Sequence, residues 1–161
     1  MYAAIDIGGT KTLVAVLDSN KKILEKHKFP TNKDYELFKI DLAKAVAELS
    51  TRDFSRAVVA IPGLVDRKHG YGLAFGNLPW ENIHIQKDVE HILHCPVLVE
   101  NDAKLAGLGE AYALEDSKQD VLYITVSTGI GGGYISGGKI DKRFEDAEIG
   151  HMKLEYKDRH E

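Results

Sequence analysis

The sequence predicts a mixed α/β fold, and three observations predict it. Short alternating runs separated by turn residues fill the first 30 positions, a pattern that favours an antiparallel meander. From residue 34 onward, stretches with helical spacing alternate with short apolar runs. A fresh glycine-bearing hairpin then begins near residue 120. That order of elements puts antiparallel and parallel strands in one sheet with helices packed on it.

The elements follow in chain order. Tyr2–Ala3–Ala4–Ile5–Asp6–Ile7 alternates and reads as a strand, Gly8–Gly9–Thr10–Lys11 as a turn, and Thr12 to Asp18 as the returning strand. Ser19–Asn20–Lys21 makes the next turn, and Lys22 to Phe29 a third strand. Thr31–Asn32 is suited to cap a helix over 34–50, whose apolar stripe is Leu37, Phe38, Leu42, Ala45, Val46 and Leu49. Ala57 to Ile61 is a short apolar run ended by Pro62–Gly63, as in a buried parallel strand. Residues 67–83 read as irregular, with Gly70, Gly72, Gly76 and Pro79. A helix is expected over 85–94, a buried strand over 96–100, and a helix from Asp102 to about 115. Asp120 to Val126 and Ile130 to Ser136 are two strands around a Ser-Thr-Gly turn, and 152–161 is charged with no closing element expected.

The 161 residues are 43% hydrophobic and 29% charged, with net charge -4 and a pI near 6.0. This is an ordinary globular balance, and nothing in it calls for nucleic acid. Cys95 is the single cysteine, so no disulfide forms within the chain and no cysteine zinc cluster exists in it. No stretch has the make-up of a signal peptide or a membrane helix, so a cytoplasmic location and no membrane partner are expected.

Two loops carry the chemistry. In Asp6–Ile7–Gly8–Gly9–Thr10–Lys11–Thr12 the glycines let the backbone approach an anion and present N–H groups to it. Thr10 and Thr12 offer hydroxyls, Lys11 a charge, and Asp6 a carboxylate for Mg²⁺ through water. The spacing is neither a Walker loop nor a dinucleotide fingerprint. Taken alone, the turn is equally well a plain hairpin that uses glycine for positive φ. The second loop is Thr125–Val126–Ser127–Thr128–Gly129–Ile130–Gly131–Gly132–Gly133, for which close strand packing is the plain alternative. Two such loops facing one another would clamp a triphosphate. Asn101–Asp102 stands where a buried strand meets a helix, the end at which ligands collect in α/β sheets; Asp102 could equally be a simple helix cap. Glu148 and His151 share a face if that segment is helical, and Trp80 reads as an apolar plug.

Taken in order, these loops resemble the ROK family of kinases and repressors, of the actin/hexokinase superfamily. Ile61–Pro62–Gly63–Leu64–Val65–Asp66, Asn77–Leu78–Pro79–Trp80, Glu100–Asn101–Asp102–Ala103 and Ala147–Glu148–Ile149–Gly150–His151 belong to the same pattern, which runs from residue 4 to about 152. The resemblance implies a ribonuclease H-like mixed sheet with antiparallel first three strands, plus the beginning of a second similar lobe. It implies a sugar- and phosphate-binding lobe at 1–117 and an incomplete nucleotide-binding lobe at 118–161. It implies ATP-dependent phosphorylation of a sugar 6-hydroxyl, on glucose or an N-acetylhexosamine such as N-acetylmannosamine, with ATP and Mg²⁺ bound.

The same resemblance assigns Asp102 as the general base. Gly63, Asn77, Asn101, Glu148 and His151 join Asp102 in binding the sugar. Asp6, Gly8, Gly9, Thr10, Lys11, Thr128 and Gly129 bind the ATP phosphates and Mg²⁺. His151 would also ligate zinc, but the partner cysteines are absent here, so zinc is expected only in a longer version. Family members are longer, so a truncated form is expected, and a homodimer is compatible with the family. Two alternatives stand beside the kinase: a non-catalytic sugar-binding module, and a relative of the sugar-sensing regulators. The regulators carry a DNA-binding module before the sugar domain, whereas here the first strand starts at residue 2.

Overall fold

The computed structural model describes residues 1–114, 119–127, 129–151, 155–156 and 159–160. The chain divides into two compact units, Met1–Asp102 and Ala103–Glu161.

In the first unit, β1 (Tyr2–Ile7), β2 (Lys11–Leu17) and β3 (Ile23–Pro30) form the expected meander, followed by α1 (Tyr35–Ala47) and β4 (Arg56–Ile61). β5 (Gly63–Asp66), β6 (Tyr71–Phe75) and β7 (Glu81–Ile83) come next, then α2 (Ile85–Leu93) and β8 (Val97–Asn101). The main sheet has the order β3-β2-β1-β4-β8, in which β4 runs parallel to both β1 and β8.

Two expectations need correction. The stretch 67–83, read as irregular, holds two strands: β6 and β7 pair antiparallel, and with β5 on the other side of β6 they make a second small sheet. Its glycines hid the pattern. Gly72 sits in β6 because a side chain there would run into the Phe75 ring, 2.2 Å from an added Cβ. The cap of α1 is Asp34, not Thr31–Asn32. The Asp34 carboxylate accepts from the Glu36 and Leu37 amides at 2.9 and 3.1 Å, satisfying two donors of the open helix end. Replacing Asp34 with Ala is expected to cost about 1 kcal/mol, read as a lowered urea midpoint at constant slope.

The core lies on one face of the main sheet. Strand alternation points Ala3, Ile5, Ile7, Val14, Val16, Val59 and Val97 to that face. α1 covers it with Phe38, Leu42 and Val46, and α2 with Ile85, Val89 and Leu93. Trp80 plugs the end near the small sheet, with ring centroids 4.7 Å from Phe38 and 5.3 Å from Phe75. Its indole N–H donates to the Lys33 carbonyl at 2.8 Å, which satisfies the one polar atom of a buried ring.

The second unit holds most of α3 (Asp102–Ala113), then β9 (Val121–Val126), β10 (Ile130–Ser136) and β11 (Lys139–Ile140), paired antiparallel with β10 central. A 3-10 turn at Ile149–His151 follows, and a short hairpin, β12 (Glu155–Tyr156) with β13 (Arg159–His160), stands where no closing element was expected. The glycines of β10 admit α3 closely: an added Cβ at Gly131 would lie 2.9 Å from that of Ala103, and one at Gly133 3.1 Å from the Lys104 Cα. No helix among the described residues is long and apolar enough to cross a membrane.

Candidate functional site

Parallel strands bring their carboxyl ends to one edge of a sheet, and the loops leaving those ends form a crevice. Here β1 leads into Gly8–Lys11, β4 into Pro62–Gly63, and β8 into Asp102. The register is direct: Asp6 pairs with Ala60, and Ala60 with Glu100. β1 and β8 are two strand spacings apart, so the Gly8–Gly9 turn and Asp102 are separated by about 10 Å along this edge.

The first turn is held from behind. The Gly8 amide donates to the Lys11 carbonyl at 3.0 Å. The Thr31 hydroxyl donates to the Gly8 carbonyl at 2.8 Å, and the Thr31 amide to the Thr10 carbonyl at 3.0 Å. The Lys33 ammonium donates to the carbonyls of both Gly9 and Asn77, each at 2.8 Å. The Gly8, Gly9 and Thr10 carbonyls are therefore turned to protein donors. A trans peptide sets each carbonyl opposite the following N–H, so the N–H groups of Gly9, Thr10 and Lys11 face away from those anchors. Successive outward N–H groups form an anion-binding concavity.

The turn joins β1 and β2 as a hairpin, but its glycines are not there for positive φ, since neither Gly8 nor Gly9 has a left-handed φ. Gly9 is glycine because an added Cβ would lie 2.7 Å from the Asn77 Cβ, so the turn and the Asn77 segment pack directly on each other. Thr10 and Lys11 are exposed, but Thr12 is fully buried and its hydroxyl shares a 2.9 Å hydrogen bond with Thr31. The expectation that Thr12 offers its hydroxyl to a ligand is corrected accordingly. Lys33→Met is expected to raise amide hydrogen exchange about tenfold at residues 9–11 and 77–78, with the β1 core unchanged.

Asp6 lies on the sheet face away from the core, in one row with Leu13 and Lys28. It remains exposed by area, yet packing around the carboxyl pushes its pKa above the ordinary aspartate value, and Lys28 partly offsets this. A carboxylate that is penalised for its charge gains from a nearby cation.

At the other end of the edge, Arg67 grips Glu100 with two hydrogen bonds, Nε to Oε2 at 2.7 Å and Nη2 to Oε1 at 2.6 Å. Both side chains are largely buried, and the fork geometry fixes the orientation of the carboxylate. The Asn101 amide donates to Glu100 Oε1 at 2.7 Å, and Asn101 Nδ2 to the Gly63 carbonyl at 3.1 Å. Gly63 has φ +134°, a region closed to other residues. The strand end and the Gly63 corner are thus tied together next to Asp102, the half-buried first residue of α3.

In the second unit, Glu148 precedes the 3-10 turn, and Lys104 Nζ lies 3.7 Å from its Oε1. An added Cβ at Gly129 would meet no described atom within 4 Å, whereas those at Gly131 and Gly133 would be crowded. Thr128 lies outside the described residues, as does the side chain of His151. Among the described residues, no group of three or more His, Cys, Asp or Glu is arranged to hold a metal ion. With Cys95 as its one cysteine, the chain does not fit a cysteine-rich zinc site. It does fit a phosphate-bound Mg²⁺, which needs only one or two carboxylates.

Thr31, Lys33, Arg67 and Lys104 were not foreseen as site residues. Thr31 and Lys33 were legible in part, because a meander with short turns returns residues 30–33 alongside 8–11.

The model of the ROK family matches residues 2–160. A glucokinase of Halalkalibacterium halodurans is 30% identical over 164 residues, covering 95% of this chain and 50% of the relative. An N-acetylmannosamine kinase of Salmonella paratyphi A is 34% identical over 140 residues, covering 85% of this chain and 48% of the relative. The crystal structure of a ROK family glucokinase from Streptomyces griseus, in complex with glucose and AMPPNP, superposes with a TM-score of 0.83. That pair is 35% identical, with 95% of this chain and 50% of the other covered. The chain spans about half the length of these relatives.

Proposed function

The chain belongs to the ROK family, and on that premise we propose that it carries the sugar- and phosphate-binding half of an ATP-dependent hexose kinase. The observation that carries this reading is the shared edge: a turn whose carbonyls are anchored from behind leaves β1, and a half-buried aspartate begins the helix after β8, about 10 Å away. That separation suits a hexose whose 6-hydroxyl meets the terminal phosphate of ATP between the two.

Phosphoryl transfer asks mainly for positioning and charge neutralisation. The N–H groups of Gly9, Thr10 and Lys11, with the Lys11 side chain, bind phosphate oxygens, and Thr128 and Gly129 serve the same triphosphate from the second loop. Asp6, through water, would hold the Mg²⁺ that accompanies the triphosphate, and that ion would supply charge neutralisation at the phosphate oxygens. Asp102 takes the proton of the sugar 6-hydroxyl. That oxygen bonds to the γ-phosphorus while the bond from the γ-phosphorus to the β–γ bridging oxygen breaks, releasing ADP. Gly63, Asn77, Asn101, Glu148 and His151 hold the remaining sugar hydroxyls, with Asn101 kept in place by the Gly63 carbonyl. The names of the relatives support glucose or N-acetylmannosamine as acceptor.

The test is ³¹P NMR of the protein with Mg²⁺, ATP and each sugar in turn. Appearance of a sugar 6-phosphate signal together with ADP supports the kinase. Saturable sugar binding with no transfer supports the non-catalytic sugar-binding module instead.

A further inference from the structure

Lys104 is the most deeply buried charged side chain among the described residues, with 2% of its surface exposed. It stands in the first turn of α3, where the helix dipole disfavours a cation. Burying an ammonium has a further cost that an apolar side chain of similar length would avoid. The surroundings accept both penalties. Gly133 on β10 leaves room for the stem, since a Cβ there would lie 3.1 Å from the Lys104 Cα and 3.3 Å from its Cγ. The ammonium is then delivered to the segment before the 3-10 turn, donating to the Ala147 carbonyl at 3.3 Å and lying 3.7 Å from Glu148 Oε1. Glu148 itself is about one-third exposed, so one side of its carboxylate is held from within while the other is open to a ligand.

We propose that Lys104 is a positioning residue that fixes the Glu148 carboxylate for hexose hydroxyls, so that the pair sets hexose affinity. The inference rests on the hexose-binding reading above and extends it to a residue outside the family motifs. Glu148 ends an irregular segment, 141–148, with no helix or strand of its own. An anchor on α3, a rigid element, removes conformers that the free protein would otherwise lose on binding. A purely structural lysine would instead matter for stability and be indifferent to the sugar.

The test is calorimetric titration with glucose and with N-acetylmannosamine, comparing wild type, Lys104→Met, Glu148→Gln and the double variant. Lys104→Met is expected to weaken hexose binding about tenfold or more, with ATP affinity and thermal midpoint held. The double variant is expected to be no weaker than Glu148→Gln alone, the signature of two residues acting as one. Equal hexose affinity in Lys104→Met and wild type, or additive losses in the double variant, overturns the proposal. Failure of wild type to bind any hexose overturns the kinase reading and this inference with it. If Lys104→Met does not fold, the ¹⁵Nζ resonance of Lys104 in wild type decides: a shift on adding hexose supports the pairing, and an unmoved resonance at saturation refutes it.

Discussion

Asp102→Asn is expected to lower sugar phosphorylation by a factor of about 10²–10⁴, the range that positioned general bases contribute, while hexose affinity stays within about threefold. The substitution keeps the size and the hydrogen-bonding capacity at the start of α3 but removes the group that accepts the hydroxyl proton. Asn is also a good residue at a helix start, so the fold should not change. Initial rates over a range of hexose concentrations separate the two effects: turnover falls while the Michaelis constant holds. A variant with near-normal turnover would leave Asp102 with a helix-start role alone.

Gly63→Ala is expected to destabilise the first unit by about 3 kcal/mol or more. The backbone there has φ +134°, and an added Cβ would sit 2.1 Å from the Ala74 carbonyl oxygen and 3.2 Å from the Gly76 amide nitrogen. These are backbone atoms that cannot swing aside, so β5 and β6 must separate. The Gly63 carbonyl that holds Asn101 would move with them, so hexose affinity should fall along with the urea midpoint. A loss below about 0.5 kcal/mol, the size of an ordinary surface change, would contradict this account of the corner.

How much of this was legible in the sequence depends on the length scale of each signal. The meander, α1, α2 and the strand carrying Val97 and Val99 announced themselves because alternation and helical spacing are local. The small sheet was missed because Gly72 and Gly76 suppress alternation, and because the crowding that demands glycine at 63 and 72 comes from residues that are distant in sequence or known only in three dimensions. The cap of α1 was displaced by two residues for a similar reason. Thr31 looked free to cap, but it is committed to the Gly8 and Thr10 carbonyls across the sheet. Asp6, Gly8, Gly9 and Asp102 were legible as motif positions. Arg67 and Lys104 were not, because a lone charge reads as a solvated side chain until its partner is seen; Lys33 was legible only in its place beside the first turn. For Arg67 that partner, Glu100, is 33 residues away.

The account stands on the Gly8–Lys11 turn and Asp102 bordering one binding site. The most direct measurement is paramagnetic broadening of amide signals by Mn²⁺·ATP, which falls steeply with distance from the metal. Strong broadening at residues 8–11 and clear broadening at 101–103, with the 18–22 turn at the opposite end of the sheet untouched, is the predicted result. Broadening confined to any other part of the chain, or present at the turn and absent at 101–103, would contradict it.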